Sequence, residues 1–136
     1  MSSDFVIDSY AWIEYFAGSE KGKSATKYIE SGESVTPTVV VAELSRKLLR
    51  EALAGRETAE GRLTRLQFVR SATTLLDLTE ELATKAGEVD VERKRKVHDW
   101  GLADSVVLAS ARQLSAKVVT GDKHFRDLKD ETIFLE

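Results

Sequence analysis

The sequence contains no cysteine and only two histidines, His98 and His124. Without cysteine, neither a disulfide nor a thiolate metal site can form, and two histidines make a zinc cage an unfavoured reading. Any bound metal is therefore expected to be a hard cation held by oxygen. No apolar run reaches the length of a membrane span, and Met1–Asp4 lacks the basic and apolar regions of a signal peptide. We expect a cytoplasmic protein with no membrane partner.

The size of the chain fits one ordinary domain. It has 136 residues, of which 42% are hydrophobic, enough to supply a core. We expect a single domain spanning residues 1–136. The net charge of −3 argues mildly against a nucleic-acid surface, but bases concentrate in residues 38–70 and in the run Arg93–Lys96. That run is either a solvated helix face or a phosphate-contacting surface, and the sequence leaves both readings open.

Strand-like and helix-like segments alternate along the chain. Short apolar or β-branched segments predict strands, and helical spacing of apolar residues predicts helices between them. The predicted strands are 4–8, 34–36, 73–78, 117–120 and 132–135, and the main predicted helices are 11–16, 39–54, 57–70, 80–96 and 102–114. This alternation predicts a doubly wound, mostly parallel five-stranded α/β sheet with helices on both faces. The helices within residues 38–70 form a helical arm.

Three local details follow from the same patterns. Thr38 is predicted to be the N-cap of the helix that starts at Val39. Leu102 is expected on the apolar stripe of its helix, and Tyr10, Ile13, Tyr15 and Phe16 are expected on the buried face of the first helix.

Four acids stand where such a sheet would bring side chains together. Asp8 ends the first strand, Glu43 lies in the helix after the second strand, Asp104 opens a helix, and Asp122 follows the fourth predicted strand. In parallel α/β sheets, ligands bind beyond the carboxyl ends of the strands, so all four acids can converge there. Clustered carboxylates must either protonate or hold a cation. Mg²⁺ suits such a cluster, and one or two such ions support phosphodiester hydrolysis.

Each acid also has a simpler explanation. Asp8 is a possible helix N-cap, Asp104 suits the positive end of a helix dipole, and Asp122 after glycine is typical of a turn. Glu43 has basic neighbours one helical turn away, such as Arg46. The joint placement of the four acids favours a site. The hydroxyls of Ser9 and Thr120 are expected to support it. Asp99 is a candidate fifth acid, although a turn or cap role is favoured for it.

The chain resembles the PIN-domain ribonucleases, most closely the VapC-type toxins of toxin–antitoxin pairs. The resemblance covers essentially the whole chain and is carried by four segments in the same order and spacing: Val6–Ser9, Thr38–Leu44, Leu102–Ser105 and Val119–Phe125. Ser105 departs from the pattern, because the family more often has a small apolar residue there.

This resemblance implies a metal-dependent endoribonuclease with Mg²⁺ or Mn²⁺ as cofactor. Its catalytic and metal-binding acids would be Asp8, Glu43, Asp104 and Asp122, with Ser9 and Thr120 in support. The resemblance also implies an RNA substrate, an antitoxin partner and a homodimer. A non-toxin PIN nuclease in RNA processing and a PIN-like interaction module without catalysis are the alternatives.

Two other classes of protein use acids in a similar way. A ribonuclease-H-like nuclease has a comparable acidic set but begins with consecutive antiparallel strands, whereas here a helix is predicted directly after the first strand. A phosphoacceptor receiver domain needs a central aspartate after its third strand. Asp77 is predicted to lie inside the third strand, which disfavours that class.

Overall fold

The computed structural model describes residues 3–136. Met1 and Ser2, which the predicted domain and the signal-peptide interpretation include, lie outside the described residues. The strands are β1 (Phe5–Ile7), β2 (Ser34–Pro37), β3 (Thr74–Leu76), β4 (Lys117–Thr120) and β5 (Thr132–Phe134). The helices are α1 (Ser9–Ala17), α2 (Glu20–Ile29), α3 (Thr38–Leu53), α4 (Ala59–Ala72), α5 (Glu80–Arg93) and α6 (Leu102–Leu114), and a 3-10 helix covers Lys123–Phe125.

The five strands form one sheet in the order β3-β2-β1-β4-β5. Every neighbouring pair is parallel, and Val6 of β1 lies between Val35 of β2 and Val118 of β4. The predicted α/β sheet of five strands is confirmed, and it is wholly rather than mostly parallel. Of the helices in residues 3–136, none has the length and apolar character that a bilayer span requires.

The direction of winding reverses between β1 and β4. From β1 the chain moves outward through β2 to β3, and then crosses to β4 on the other side of β1. At such a reversal the two connections diverge, so a crevice opens beyond the carboxyl ends of the two strands. Asp8 directly follows β1, and Asp122 lies two residues beyond β4. The topology therefore places two of the four acids at this crevice.

The core packs around the two central strands. Val6, Ile7, Val118 and Val119 have no exposed surface, as expected for parallel strands that are covered on both faces. Helix α6 is buried along the continuous stretch 105–111. A helix enclosed over that length has little freedom to shift, so its first turn, which carries Asp104, is held firmly above the sheet.

Several local predictions were wrong. Pro37 rather than Thr38 is the N-cap residue of α3, and it makes no side-chain cap bond, because β2 runs directly into the helix at Thr38. Leu102 is 61% exposed, since it opens α6 ahead of the buried stretch. In α1 the fully buried residues are Ala11 and Trp12, which were not predicted, and the predicted Tyr10 is only partly buried. The other predicted residues, Ile13, Tyr15 and Phe16, do pack against the core.

The topology also decides between the two other classes. Helix α1 starts directly after β1 and all strands are parallel, which excludes the ribonuclease-H-like arrangement. The placement of Asp77 inside a strand was wrong, because β3 ends at Leu76 and Asp77 follows it. Yet β3 is an edge strand, whereas the receiver order 2-1-3-4-5 has its third strand in the centre. Asp77 is therefore not a central phosphoacceptor.

Candidate active site

Asp8 and Thr120 join the two central strands at their carboxyl ends. Asp8 is only 3% exposed, and its Oδ1 accepts a hydrogen bond from the Ser9 amide at 2.8 Å. The Thr120 hydroxyl donates to Asp8 Oδ2 at 2.8 Å and accepts from the Asp122 amide at 3.0 Å. Because the single hydroxyl hydrogen of Thr120 is used in the hydrogen bond to Asp8, the hydroxyl oxygen can only accept from the Asp122 amide. One side chain therefore fixes the positions of both acids.

The carboxyl group of Asp8 is hard to ionise. Burial raises its pKa to about 7, and the negative charges of Glu43 and Asp104 act in the same direction. The hydrogen bonds from Thr120 and Ser9 lower the pKa but do not outweigh burial. When Asp8 ionises, its buried negative charge is repelled by the charges of two other acids. A bound cation would relieve this repulsion.

Asp104 and Asp122 meet at the side chain of His124. His124 Nδ1 lies 2.9 Å from Asp104 Oδ2 and 3.7 Å from Asp122 Oδ1. One ligand atom from each of the three residues falls within 4.8 Å of the others. Both aspartates also bind backbone amides, Asp104 that of Gly101 at 3.0 Å and Asp122 that of His124 at 2.9 Å. These hydrogen bonds from backbone amides orient the two carboxylates toward a common point.

His124 is the residue of this site that the sequence interpretation missed. Its Nε2 lies 3.1 Å from Asp99 Oδ2, so both ring nitrogens face carboxylates. Burial acts to lower the pKa of His124, but the hydrogen bonds to Asp104 and Asp99 outweigh it and raise the pKa. Asp99 was read as a turn or cap residue, and its contact with His124 correspondingly lowers the pKa of its own carboxyl. The available signal was the position of His124 in the same turn as Asp122.

Glu43 approaches the cluster from α3. It is half-buried, and burial raises the pKa of its carboxyl, with Asp104 and Asp122 adding to the rise. A hydrogen bond with Ser9 and the charge of Arg46 act in the opposite direction. Glu43 lies close enough to feel the other acids, but it is outside the compact group of Asp104, Asp122 and His124.

The donor set fits a hard divalent cation. Asp104 and Asp122 present carboxylate oxygens to one point, and Asp8 and Glu43 stand near enough for their charges to be felt. Oxygen donors of this kind are those that Mg²⁺ and Mn²⁺ prefer. Burial is the largest cause of the raised pKa values of Asp8 and Glu43, and the neighbouring acids add to both rises, so a bound cation would favour the ionised forms.

The fold and the site together define a class of structure. It is a wholly parallel α/β fold with acids gathered where the winding direction reverses. Within that class, the sequence matches the PIN domain family over residues 5–131. The chain belongs to this family. Among curated proteins, none matches the sequence significantly.

Solved structures with the same fold include proteins of several organisms. PAE2754 from Pyrobaculum aerophilum superposes with a TM-score of 0.75 at 19% identity, covering 98% of this chain and 92% of that chain. VapC20 from Mycobacterium tuberculosis, described as a sarcin-ricin loop cleaving toxin, has a TM-score of 0.70 at 15% identity, with coverage of 92% and 95%. VapBC2 from Rickettsia felis, solved with a DNA fragment from its promoter, has a TM-score of 0.69 at 16% identity, with coverage of 97% and 96%.

Proposed function

We propose that this chain is a Mg²⁺- or Mn²⁺-dependent endoribonuclease that hydrolyses RNA phosphodiester bonds. The observation that carries the proposal is the gathering of four acids at the winding reversal of a PIN fold, with the pKa of Asp8 raised to about 7. Burying an unpaired carboxylate lowers the stability of the folded state, and placing further carboxylates beside it adds repulsion. A bound cation would offset both effects.

The proposed catalytic and metal-binding residues are Asp8, Glu43, Asp104 and Asp122. A bound divalent ion would supply a water of lowered pKa and neutralise charge on the phosphate. Asp104 and Asp122 would hold it directly, since they share one point. Thr120 fixes Asp8 and Asp122 relative to each other, and Ser9 lies near enough to Glu43 to lower the pKa of its carboxyl.

We further propose that the enzyme is the toxin of a toxin–antitoxin pair. Support comes from the VapC and VapBC proteins that share its fold. The arm formed by α3 and α4 carries three leucines that are 45–81% exposed: Leu49, Leu53 and Leu63. Exposed apolar side chains grouped on one arm are typical of a protein-binding surface. An antitoxin segment covering this arm would reach toward the acids.

The remaining parts of the proposal concern the state of the whole protein. On the PIN resemblance, we propose a single domain spanning residues 1–136 and a cytoplasmic location. We also propose a homodimer in which the two sites face a shared groove. The part of the chain that the structure describes forms one continuous sheet, which supports the single domain.

The direct test is cleavage of a single-stranded RNA by purified protein with Mg²⁺, with Mn²⁺ and with excess chelator. We expect cleavage with either metal and none in chelator, with activity restored when metal is added back. Undiminished cleavage in chelator, by a preparation whose catalytically dead variant shows no contaminating nuclease, would refute metal dependence.

A further inference from the structure

Arg93 differs from the three bases that follow it. The side chains of Lys94, Arg95 and Lys96 are exposed, whereas Arg93 is only 3% exposed. Neither a solvated helix face nor a phosphate-contacting surface describes a guanidinium that solvent cannot reach. Arg93 must therefore be explained by what it contacts inside the protein.

The guanidinium of Arg93 binds the segment that follows β4. Its Nη1 and Nη2 donate to the two carboxylate oxygens of Asp127 at 2.8 Å each, which is the bidentate geometry of a strong pair. Nη2 also donates to the backbone carbonyl of His124 at 3.0 Å. Helix α5 is thereby fastened to the turn that carries His124, at the residue whose ring contacts Asp104.

The same guanidinium covers Trp100. It lies 4.6 Å from the centre of the Trp100 ring, and that ring packs 4.9 Å from Phe125. The indole Nε1 of Trp100 donates at 2.7 Å to the hydroxyl of Ser105, the residue after Asp104. Ser105, which departs from the family pattern, donates in turn to Asp90 on α5. Arg93 thus contacts the backbone of His124 directly, and it contacts Trp100, which is hydrogen-bonded to the residue next to Asp104.

Stability alone is a weak reason to bury this arginine. The Nε of Arg93 is buried and has no hydrogen-bond partner among the described residues, which costs free energy. Its ion-pair partner Asp127 is 46% exposed, and ion pairs with a solvent-exposed partner often contribute little to stability. The burial of Arg93, with one donor unsatisfied, is therefore better explained by the way it positions neighbouring residues than by its contribution to stability.

We propose that Arg93 is a positioning residue that holds His124 against Asp104 and so sets the geometry of the metal-binding carboxylates. This inference rests on the proposed function, because it concerns the same site. Arg93 contacts none of the four acids, and its effect passes through the His124 carbonyl and through Trp100 to Ser105. Residues that orient metal ligands in this way commonly change metal affinity 10- to 100-fold when substituted.

The test compares Arg93→Lys with Arg112→Lys. Lysine keeps the positive charge but loses the fork that binds Asp127 and the His124 carbonyl together. Arg112 is a matched control, since it makes a bidentate pair with Glu131 at 2.8 and 3.1 Å on α6 and has no contact with His124. By calorimetry, we expect Mn²⁺ binding about 10-fold weaker in Arg93→Lys and unchanged in Arg112→Lys.

A second measurement uses protein without metal. The ring nitrogens of His124 are recorded by ¹⁵N–¹H NMR, with a His98→Gln variant to assign the two histidines. We expect the His124 signals to move or broaden in Arg93→Lys and to stay unchanged in Arg112→Lys. If Arg93→Lys does not fold, Asp127→Asn replaces it, because the Asp127 side chain is 46% exposed and the substitution weakens the same pair.

The outcomes separate the two proposals. Wild-type affinity for Mn²⁺ together with unchanged His124 signals in a folded Arg93→Lys or Asp127→Asn variant would overturn the role of Arg93. Absence of Mn²⁺ binding in the wild type would count against the proposed function instead, and the NMR comparison would still decide whether Arg93 positions His124.

Discussion

Three of the four acids act as local caps and also belong to the cluster. Asp8 accepts from the first amide of α1, Asp104 from the amide of Gly101 before α6, and Asp122 from the amide of His124. The cap and site interpretations are therefore compatible. Replacing aspartate by asparagine keeps one acceptor oxygen for the cap while removing the charge. Such variants separate the two roles.

The pKa of Asp8 predicts how metal-free protein responds to pH. Because the pKa in the folded state, about 7, is above the ordinary value of 3.8, the protonated carboxyl favours the folded state. This stabilisation is complete below about pH 4 and is lost as pH rises through about 7. Between pH 5 and pH 8 the loss amounts to about 2 to 3 kcal/mol, at about 1.36 kcal/mol per pKa unit. Asp8→Asn should lack this component.

The measurement is the free energy of unfolding in guanidinium chloride with chelator, at pH 5 and pH 8. Asp77→Asn is the matched control, because Asp77 also follows a strand but is exposed. Comparing each variant with itself at two pH values cancels any pH-independent cost of placing an amide next to Thr120. Parallel pH dependence in wild type and Asp8→Asn would contradict the raised pKa.

At the scale of helices and strands, the alternation of patterns was sufficient to predict every strand and the main helices. The bounds were less accurate, because a helix end depends on backbone geometry that composition does not determine. At Pro37 the strand continues into the helix without a capping side chain, and the preference for threonine at N-caps misplaced the start. Asp77 was misplaced for a similar reason, since β3 is shorter than its apolar segment.

Close packing of α1 against α2 gives a prediction at this scale. A Cβ added at Gly22 of α2 would lie 2.0 Å from the backbone oxygen of Glu14 in α1, so alanine there must push the helices apart. We expect Gly22→Ala to destabilise the protein by about 1 to 3 kcal/mol or more. Gly87 in α5 has nothing near its added Cβ, and Gly87→Ala should stabilise by about 0.5 to 1 kcal/mol.

Thermal melting of both alanine variants checks this pair. A melting temperature for Gly22→Ala equal to or above that of Gly87→Ala would show that α1 and α2 are not packed at this distance.

The placement of the four acids could be predicted from the sequence because parallel strands bring their carboxyl ends to one edge. His124, Asp99 and Arg93 could not be placed in the same way. Their roles depend on contacts between α5, the turn before α6 and the turn after β4, which are far apart in sequence. Only the neighbourhood of His124 and Asp122 in one turn offered a local signal.

At the scale of the whole molecule, the sheet topology gathers the acids at one edge, and three of the exposed leucines, Leu49, Leu53 and Leu63, lie on the arm. The winding reversal between β1 and β4 fixes the position of the site, and α3 carries both Glu43 and the exposed Leu53. A partner bound to the arm would therefore lie on the same helix as one of the acids.

The proposed homodimer predicts the mass of the protein in solution. Light scattering at micromolar concentration should give twice the chain mass of 15.1 kDa. Dilution should shift the population toward monomer, because association depends on concentration. A species of 15.1 kDa alone at micromolar concentration would contradict the dimer, although it would leave the metal site unaffected.

The central claim is that Asp104 and Asp122 hold a divalent ion for RNA cleavage, and one comparison tests it most directly. Wild type, Asp104→Asn, Asp122→Asn and the exposed control Asp77→Asn are assayed for RNA cleavage and for the shift in melting temperature on adding Mg²⁺ or Mn²⁺. We expect both site variants to fold, to lose the metal-induced shift and to lose cleavage by orders of magnitude, while Asp77→Asn behaves as wild type. Full cleavage in the site variants, with a metal-induced shift equal to that of wild type, would show that these aspartates are only caps, a role that asparagine can fill.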